Sequence, residues 1–263
     1  MQRPGVQSLF NFSGKTVLIT GASGGIGAGI ARRFSEAGAN IALHYKNGKP
    51  EAEALAAELA EKNIVAQTFQ ADLTNEASVA SMMAAVVQHF GTLDTLINNA
   101  GIFPNSSIQA MSHGAWKTMM AVNADSIFLC TREGCAAMKN ARENTDSSII
   151  NIASISGMNA GPDHAHYNAS KAAVISFTQS AAQEFGPHGI RVNCISPGLI
   201  ARPGIEEVWP EGVARWQKKA PLARMGTPDD VADACLFLAS PAAAFITGVN
   251  LPVEGGVMAS PIY

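Results

Sequence analysis

A tyrosine and a lysine stand four positions apart in YNASK, residues 167–171. On a helix that spacing projects both side chains from one face. A free phenol loses its proton near pH ~10, and a fixed positive charge a few ångströms away favours the phenolate. Tyr167 and Lys171 therefore form a candidate acid/base pair for work near neutrality. A solvated helix face would carry the same five letters, so the pair needs support from elsewhere in the chain.

That support comes from the ends of apolar runs. TVLIT (16–20) leads into TGASGGIG (20–27), where Gly21, Gly25 and Gly27 leave the backbone bare around Ser23 and Ile26. A helix starting there presents free N–H groups and a partial positive charge to a phosphate. The first gap between glycines is three residues wide, so this is not the spaced G-x-G-x-x-G pattern. ADL (71–73) follows a third apolar run; Asp72, beside Leu73, can accept from an adenine amine. NNAG (98–101) offers Asn99, Ala100 and Gly101, a bend with amide donors and no bulk. SPG (196–198) sets Pro197 and Gly198 as a corner able to border a nicotinamide. Ser154, thirteen residues before Tyr167, can share a substrate carbonyl oxygen with the phenol.

The elements that must position these groups alternate. Strand patterns at 16–20, 40–45, 65–70, 95–98, 148–152, 191–196 and 248–253 are separated by helical patterns. The latter cover about 26–36, 50–62, the Val79/Met82/Met83/Val86 stripe, 115–138, the helix carrying Tyr167 to about 185, and 231–239. Such alternation demands a parallel sheet with helices on both faces, and ligands then bind beyond the carboxyl ends of the strands. The expected architecture is α/β, a Rossmann-type doubly wound sheet of about seven strands in one domain. Residues 1–13 form an N-terminal extension. Residues 199–220 lack a clear period and are expected to cover a substrate.

The bulk numbers fit. A chain of 263 residues, 47% of them hydrophobic, can bury a large core. A net charge of −3 with no long basic run argues against nucleic acid or an anionic membrane as partner. No apolar run has the length of a membrane span, and the first residues lack the apolar core of a signal peptide. Cys130, Cys135, Cys194 and Cys235 make no CxxC pair, which suits free thiols in a reducing cytoplasm.

Taken together, TGASGGIG, NNAG, Ser154 and YNASK, in this order, resemble the short-chain dehydrogenase/reductase family over roughly residues 14–257. The resemblance implies hydride transfer between NAD(P)H and a carbonyl or alcohol of a small molecule. It implies that Ser154 orients the substrate oxygen and that Tyr167 is the general acid or base. Lys171 lowers the tyrosine pKa and holds the nicotinamide ribose, and Asn123, in MAVNADSIF, helps position the lysine through a water. It also implies a homo-oligomer, a tetramer, paired through the small-residue face Ala169, Ala172, Ala173 and Ser176.

Finer features depart from the family or divide its members. Tyr45 ends the second strand where NAD-preferring relatives carry an acid, and Lys46 and Lys49 follow; this favours NADP(H), with NAD(H) as the alternative. Gly24 argues the other way, standing where many NADP-using relatives have arginine. Arg202 stands where threonine is common and is a candidate grip for a cofactor phosphate or a substrate carboxylate, against a plain solvated loop residue. His164 and His166 in DHAH lack a third ligand, so no metal is expected. A 3-oxoacyl-[acyl-carrier-protein] reductase is the alternative enzyme, although MKNARENTD (138–146), with Lys139 and Arg142 beside Glu143 and Asp146, is a poor landing site for an acidic carrier. A non-catalytic nucleotide sensor is the alternative of another class; it has no need to keep Ser154, Tyr167 and Lys171 together.

Overall fold

The computed structural model describes residues 5–141 and 146–259. Seven strands form one parallel sheet: β1 (Thr16–Ile19), β2 (Asn40–Tyr45), β3 (Ala66–Gln70), β4 (Thr95–Asn98), β5 (Ser147–Ile152), β6 (Ile190–Pro197) and β7 (Asn250–Val253). The spatial order is β3-β2-β1-β4-β5-β6-β7. Every residue of β1, β4, β5 and β6 is buried. Strands with no polar face must be covered on both sides, which is why their runs are β-branched rather than alternating. The winding reverses between β1 and β4, so the loops after these strands diverge and open a crevice at their carboxyl ends.

Helices α1 (Gly25–Glu36) and α9 (Pro228–Ala239) close one face, packing Ile30, Phe34, Val231 and Leu238 over Val17, Ile19 and Ile150. The other face meets α3 (Glu76–Phe90), whose Val79, Met82, Met83 and Val86 stripe is buried against Leu18, Leu96 and Ile149, as its spacing required. α3 begins at Asn75, whose side chain accepts from the Ser78 N–H, and stops at Gly91 with φ +78°. α2 (Lys49–Ala60) flanks the edge pair β2–β3. α6 (Ala165–Phe185) carries Tyr167 and Lys171.

Two stretches differ from their sequence reading. The helix expected over 115–138 is α4 (His113–Met120), a π-helical turn (Ala121–Asp125) and α5 (Ser126–Ala141). The wider turn faces Asn123 inward, where its amide bonds both backbone groups of Ile102. The aperiodic stretch 199–220 holds α7 (Ile205–Val208) and α8 (Pro210–Lys219), each too short to show a period. Trp209 lies flat over Gly212, where a methyl group would come within 1.9 Å of the indole. Among the described residues no helix is long and apolar enough to cross a membrane.

Candidate active site

The turn after β1 is built by close approach. Gly21 and Gly25 have φ of +64° and +54°, the left-handed region that glycine enters without penalty. A methyl group on Gly21 would stand 2.9 Å from Ala100 Cα, and one on Gly27 would stand 2.3 Å from the Gly21 carbonyl. The loop after β4 is tied to the same turn. Asn99 Nδ2 donates to the Thr20 and Gly21 carbonyls at 2.9 and 3.1 Å, while the Asn99 and Ala100 N–H groups donate to Thr20 Oγ1 at 2.9 and 3.0 Å. Gly24 and Gly25 stay exposed at the start of α1, and no side chain caps them. Open amides on a fixed turn suit a pyrophosphate.

At the ends of β2 and β3, Lys46 and Asp72 engage each other, Nζ to Oδ2 at 2.7 Å. Asp72 also accepts from the Thr74 N–H and hydroxyl, and with Lys46 as the largest cause its carboxyl is held down to about 2. Tyr45 is buried at the end of β2. The Leu73 side chain belongs to the core under α3. Ser23 reaches across to the next loop, where its hydroxyl would lie 2.9 Å from a methyl group on Gly48.

The opposite wall is β5 and α6. Ser154 caps the short 3-10 turn Ile155–Gly157, accepting from the Ser156 N–H at 3.1 Å. A methyl group on Gly157 would stand 2.7 Å from the Lys171 carbonyl carbon, so only glycine lets this turn press onto α6. The contact sets the Ser154 hydroxyl near enough to the Tyr167 phenol to lower its pKa. Beneath them, Asn98 Nδ2 donates to Thr131 Oγ1 and Asn151 Oδ1, and Asn151 Nδ2 donates to Thr178 Oγ1. These buried bonds fix α5 and α6 against β4 and β5. Gly101, Asn123 and Lys171 converge: a methyl group on Gly101 would lie 3.1 Å from Asn123 Oδ1 and 3.7 Å from Lys171 Nζ.

The lysine and the phenol are held apart in this arrangement. Burial pushes the Tyr167 phenol above its ordinary value, and the neighbouring Ser154 hydroxyl pulls the other way; Lys171 is not among the causes. The reason is geometric. Lys171 Nζ donates to the Ile152 carbonyl at 2.8 Å and lies 5.6 Å from the Tyr167 ring centroid. Burial pushes that ammonium down to about 8.

Pro197 ends β6, and the Gly198 N–H donates to the Val253 carbonyl. A side chain at Gly198 would strike Trp216, whose Nε1–H donates to the Arg224 carbonyl. Arg202 is exposed at the foot of α7. Phe103 stacks on His164 at 4.5 Å and meets Tyr167 edge-on at 4.5 Å. Among the described residues no three His, Cys, Asp or Glu side chains gather as metal ligands. Sequence reasoning missed Phe103, Trp216 and His44. The last is a polar residue inside the apolar strand NIALHY, which was the available signal. Its Nδ1 accepts from the Gly21 N–H at 3.0 Å, and its Nε2 meets the Ala71 carbonyl at 3.1 Å.

Comparison with known proteins gives one answer. Residues 21–258 match a family model described as enoyl-(acyl carrier protein) reductase. The chain is 37% identical over 243 residues to the 3-oxoacyl-[acyl-carrier-protein] reductase FabG of Staphylococcus aureus, covering 92% of this chain and 98% of the relative. It is 39% identical over 244 residues to the 2,5-dichloro-2,5-cyclohexadiene-1,4-diol dehydrogenase LinX of Sphingobium indicum, covering 93% and 96%. A short-chain type dehydrogenase/reductase from Mycobacterium marinum superposes with a TM-score of 0.91 at 34% identity, over 97% of this chain and all of the other.

Proposed function

Because this chain belongs to the short-chain dehydrogenase/reductase family, we propose that Tyr167, Ser154, Lys171 and Asn123 are its catalytic set, acting on a small carbonyl compound or secondary alcohol with NADP(H) as preferred cofactor. The bound nicotinamide supplies or takes the hydride. Tyr167 gives its proton to the carbonyl oxygen in reduction and takes one back in oxidation. Ser154 donates to the same oxygen and orients it. Lys171, released from the Ile152 carbonyl, brings its ammonium to the phenol and the ribose. Asn123 holds the loop after Gly101 against which the lysine rests. The observation that carries this reading is the Ser154 turn pressed onto α6 beside Tyr167, with Lys171 buried one turn further along that helix.

NADP(H) is favoured because an uncharged Tyr45 ends β2 and Lys46 stands half-exposed beside it. Asp72 competes for that lysine at only modest strength, since exposed ion pairs contribute roughly 0–1 kcal/mol. A 2′-phosphate offers it a doubly charged partner. The experiment is turnover against a ketone panel with each cofactor, and titration of NADPH and NADH into wild type and Lys46→Ala. NADPH should bind more tightly to wild type and lose far more on mutation. Equal losses, or a wild type preferring NADH, overturn the assignment.

A carrier-protein reductase is the second reading, favoured by the 37% identical relative of that name. Against it, Lys139 packs over the Phe185 ring and Asp146 stands 3.8 Å from Arg191 Nε, leaving little basic surface there. Arg142 and Glu143 lie outside the described residues. Free ketones turned over as fast as carrier-bound ones support the first reading, and a large preference for the carrier supports the second. The four thiols are buried and unpaired, which suits a single Rossmann domain working in the cytoplasm. Ala172 and Ser176 are exposed on α6 and Ala169 and Ala173 half-buried, a small-residue face suited to a homotetramer.

A further inference from the structure

Three strand ends meet at one imidazole. His44 is 2% exposed on the face of β2 that looks toward the core under α3. Its backbone carbonyl accepts from the Ala22 N–H, which continues the β1–β2 pairing into the glycine turn. The turn leaves the Gly21 N–H beyond the ladder, where it has no strand to bond. His44 Nδ1 accepts that hydrogen, so Nδ1 carries a lone pair and Nε2 carries the proton it donates to the Ala71 carbonyl. Burial pushes the imidazole down to about 4, which holds it in this neutral form. A second proton on Nδ1 would face another N–H.

The two bonded groups are not arbitrary. Gly21 opens the turn whose amides face a pyrophosphate, and Ala71 is the last residue before Asp72 on the adenosine side. Their relative position sets the distance between the phosphate turn and the adenine pocket. Nothing else bridges Gly21 and Ala71 directly among the hydrogen bonds of the described residues. We propose that His44 is a positioning residue for the dinucleotide: it holds the phosphate turn after β1 and the adenosine-binding end of β3 at the spacing the cofactor requires. The effect is on binding and not on proton transfer, because His44 lies on the far side of β1 from Tyr167. The inference rests on the dinucleotide function proposed above.

The test uses the full chain and three titrants: NADPH, NADH, and ADP as the adenosine half alone. His44→Leu fills the space and removes both hydrogen bonds. Its dissociation constants should rise about tenfold or more for all three titrants, while kcat at saturating cofactor stays within about twofold. His44→Asn keeps an acceptor near the position of Nδ1 and should regain most of the affinity. His44→Gln reaches toward Ala71 but offers Gly21 nothing at that distance, and should stay weak. If the leucine variant does not fold, the Asn and Gln variants decide the matter. A leucine variant that melts earlier yet binds all three titrants as wild type does would reduce His44 to a packing residue. So would Asn and Gln variants of equal affinity. A wild type that binds neither dinucleotide overturns the function itself, a result distinct from either of these.

Discussion

The two walls of the crevice are made differently. The β5–α6 wall holds Ser154, Tyr167, Lys171 and Asn123 close to a network of buried amides and hydroxyls running from Asn98 to Thr178. Asn98, Asn123, Asn151 and Lys171 each bond a residue from an element distant in sequence. The cover, α7 and α8, hangs on a small cluster of Ile205, Val213 and Met225 with Trp216 against Gly198. Val208 is 83% exposed, Trp209 is 47% exposed, and Arg202 faces solvent. A densely cross-linked wall can hold reacting groups to a fraction of an ångström, which proton transfer needs. A lightly attached cover can change its side chains at little cost to the fold. On the proposed function, the chemistry falls to the wall and the choice of substrate to the cover.

The sharpest way to break this contrast is Tyr167→Phe. The ring keeps its edge contact with Phe103 and loses only the proton, so kcat should fall by about 10²–10⁴ with cofactor affinity and melting temperature nearly unchanged. A loss below tenfold, about 1.4 kcal/mol of barrier, would remove Tyr167 from the wall's chemistry.

Lys171→Met tests whether the wall pays in stability for its function. A lysine side chain titrates near ~10.4 when unfolded, whereas burial brings Lys171 down to about 8. A lysine lowered by burial destabilises the fold while it is charged. That cost is fully present below pH 8 and fades as pH rises toward the unfolded value. The methionine variant should therefore be inactive yet more stable at pH 7, by an amount on the order of 1 kcal/mol or more. Its advantage should shrink between pH 8 and 10. Cys130, Cys135 and Cys235 are pushed up by burial in both chains, but Cys194 is coupled to Lys171, so the comparison is made in a Cys194→Ala background to isolate the lysine. An advantage that is absent, or flat with pH, breaks the account.

The smallest effect is expected on the cover. Arg202→Leu should leave melting temperature and kcat for neutral ketones unchanged. If Arg202 grips a substrate carboxylate, KM rises about tenfold for keto acids alone. If it grips a cofactor phosphate, the cofactor dissociation constant rises for every substrate. A variant that shifts neither constant returns Arg202 to the solvated loop.

Much of this was legible before any coordinates. The apolar runs are local and nearly continuous, so they fix seven strands wherever they pair. The Val79/Met82/Met83/Val86 stripe fixes the inner face of α3 by spacing alone. The glycines at 21, 25 and 27 mark a turn that only bare backbone can make, and four residues between Tyr167 and Lys171 put them on one helix face. Each of these follows from a neighbourhood of a few residues, where periodicity and backbone freedom leave a trace in the letters. What the letters did not show depends on partners far along the chain. Lys171 turns to the Ile152 carbonyl, which leaves the phenol raised; Lys46 meets Asp72; His44 joins Gly21 to Ala71; and Asn123 widens a helix to reach Ile102. Such pairings arise from the order in which the strands assemble, and that order has no local period to read. The tertiary structure alone decided them, because a buried polar group takes whichever partner the packing brings within hydrogen-bonding distance.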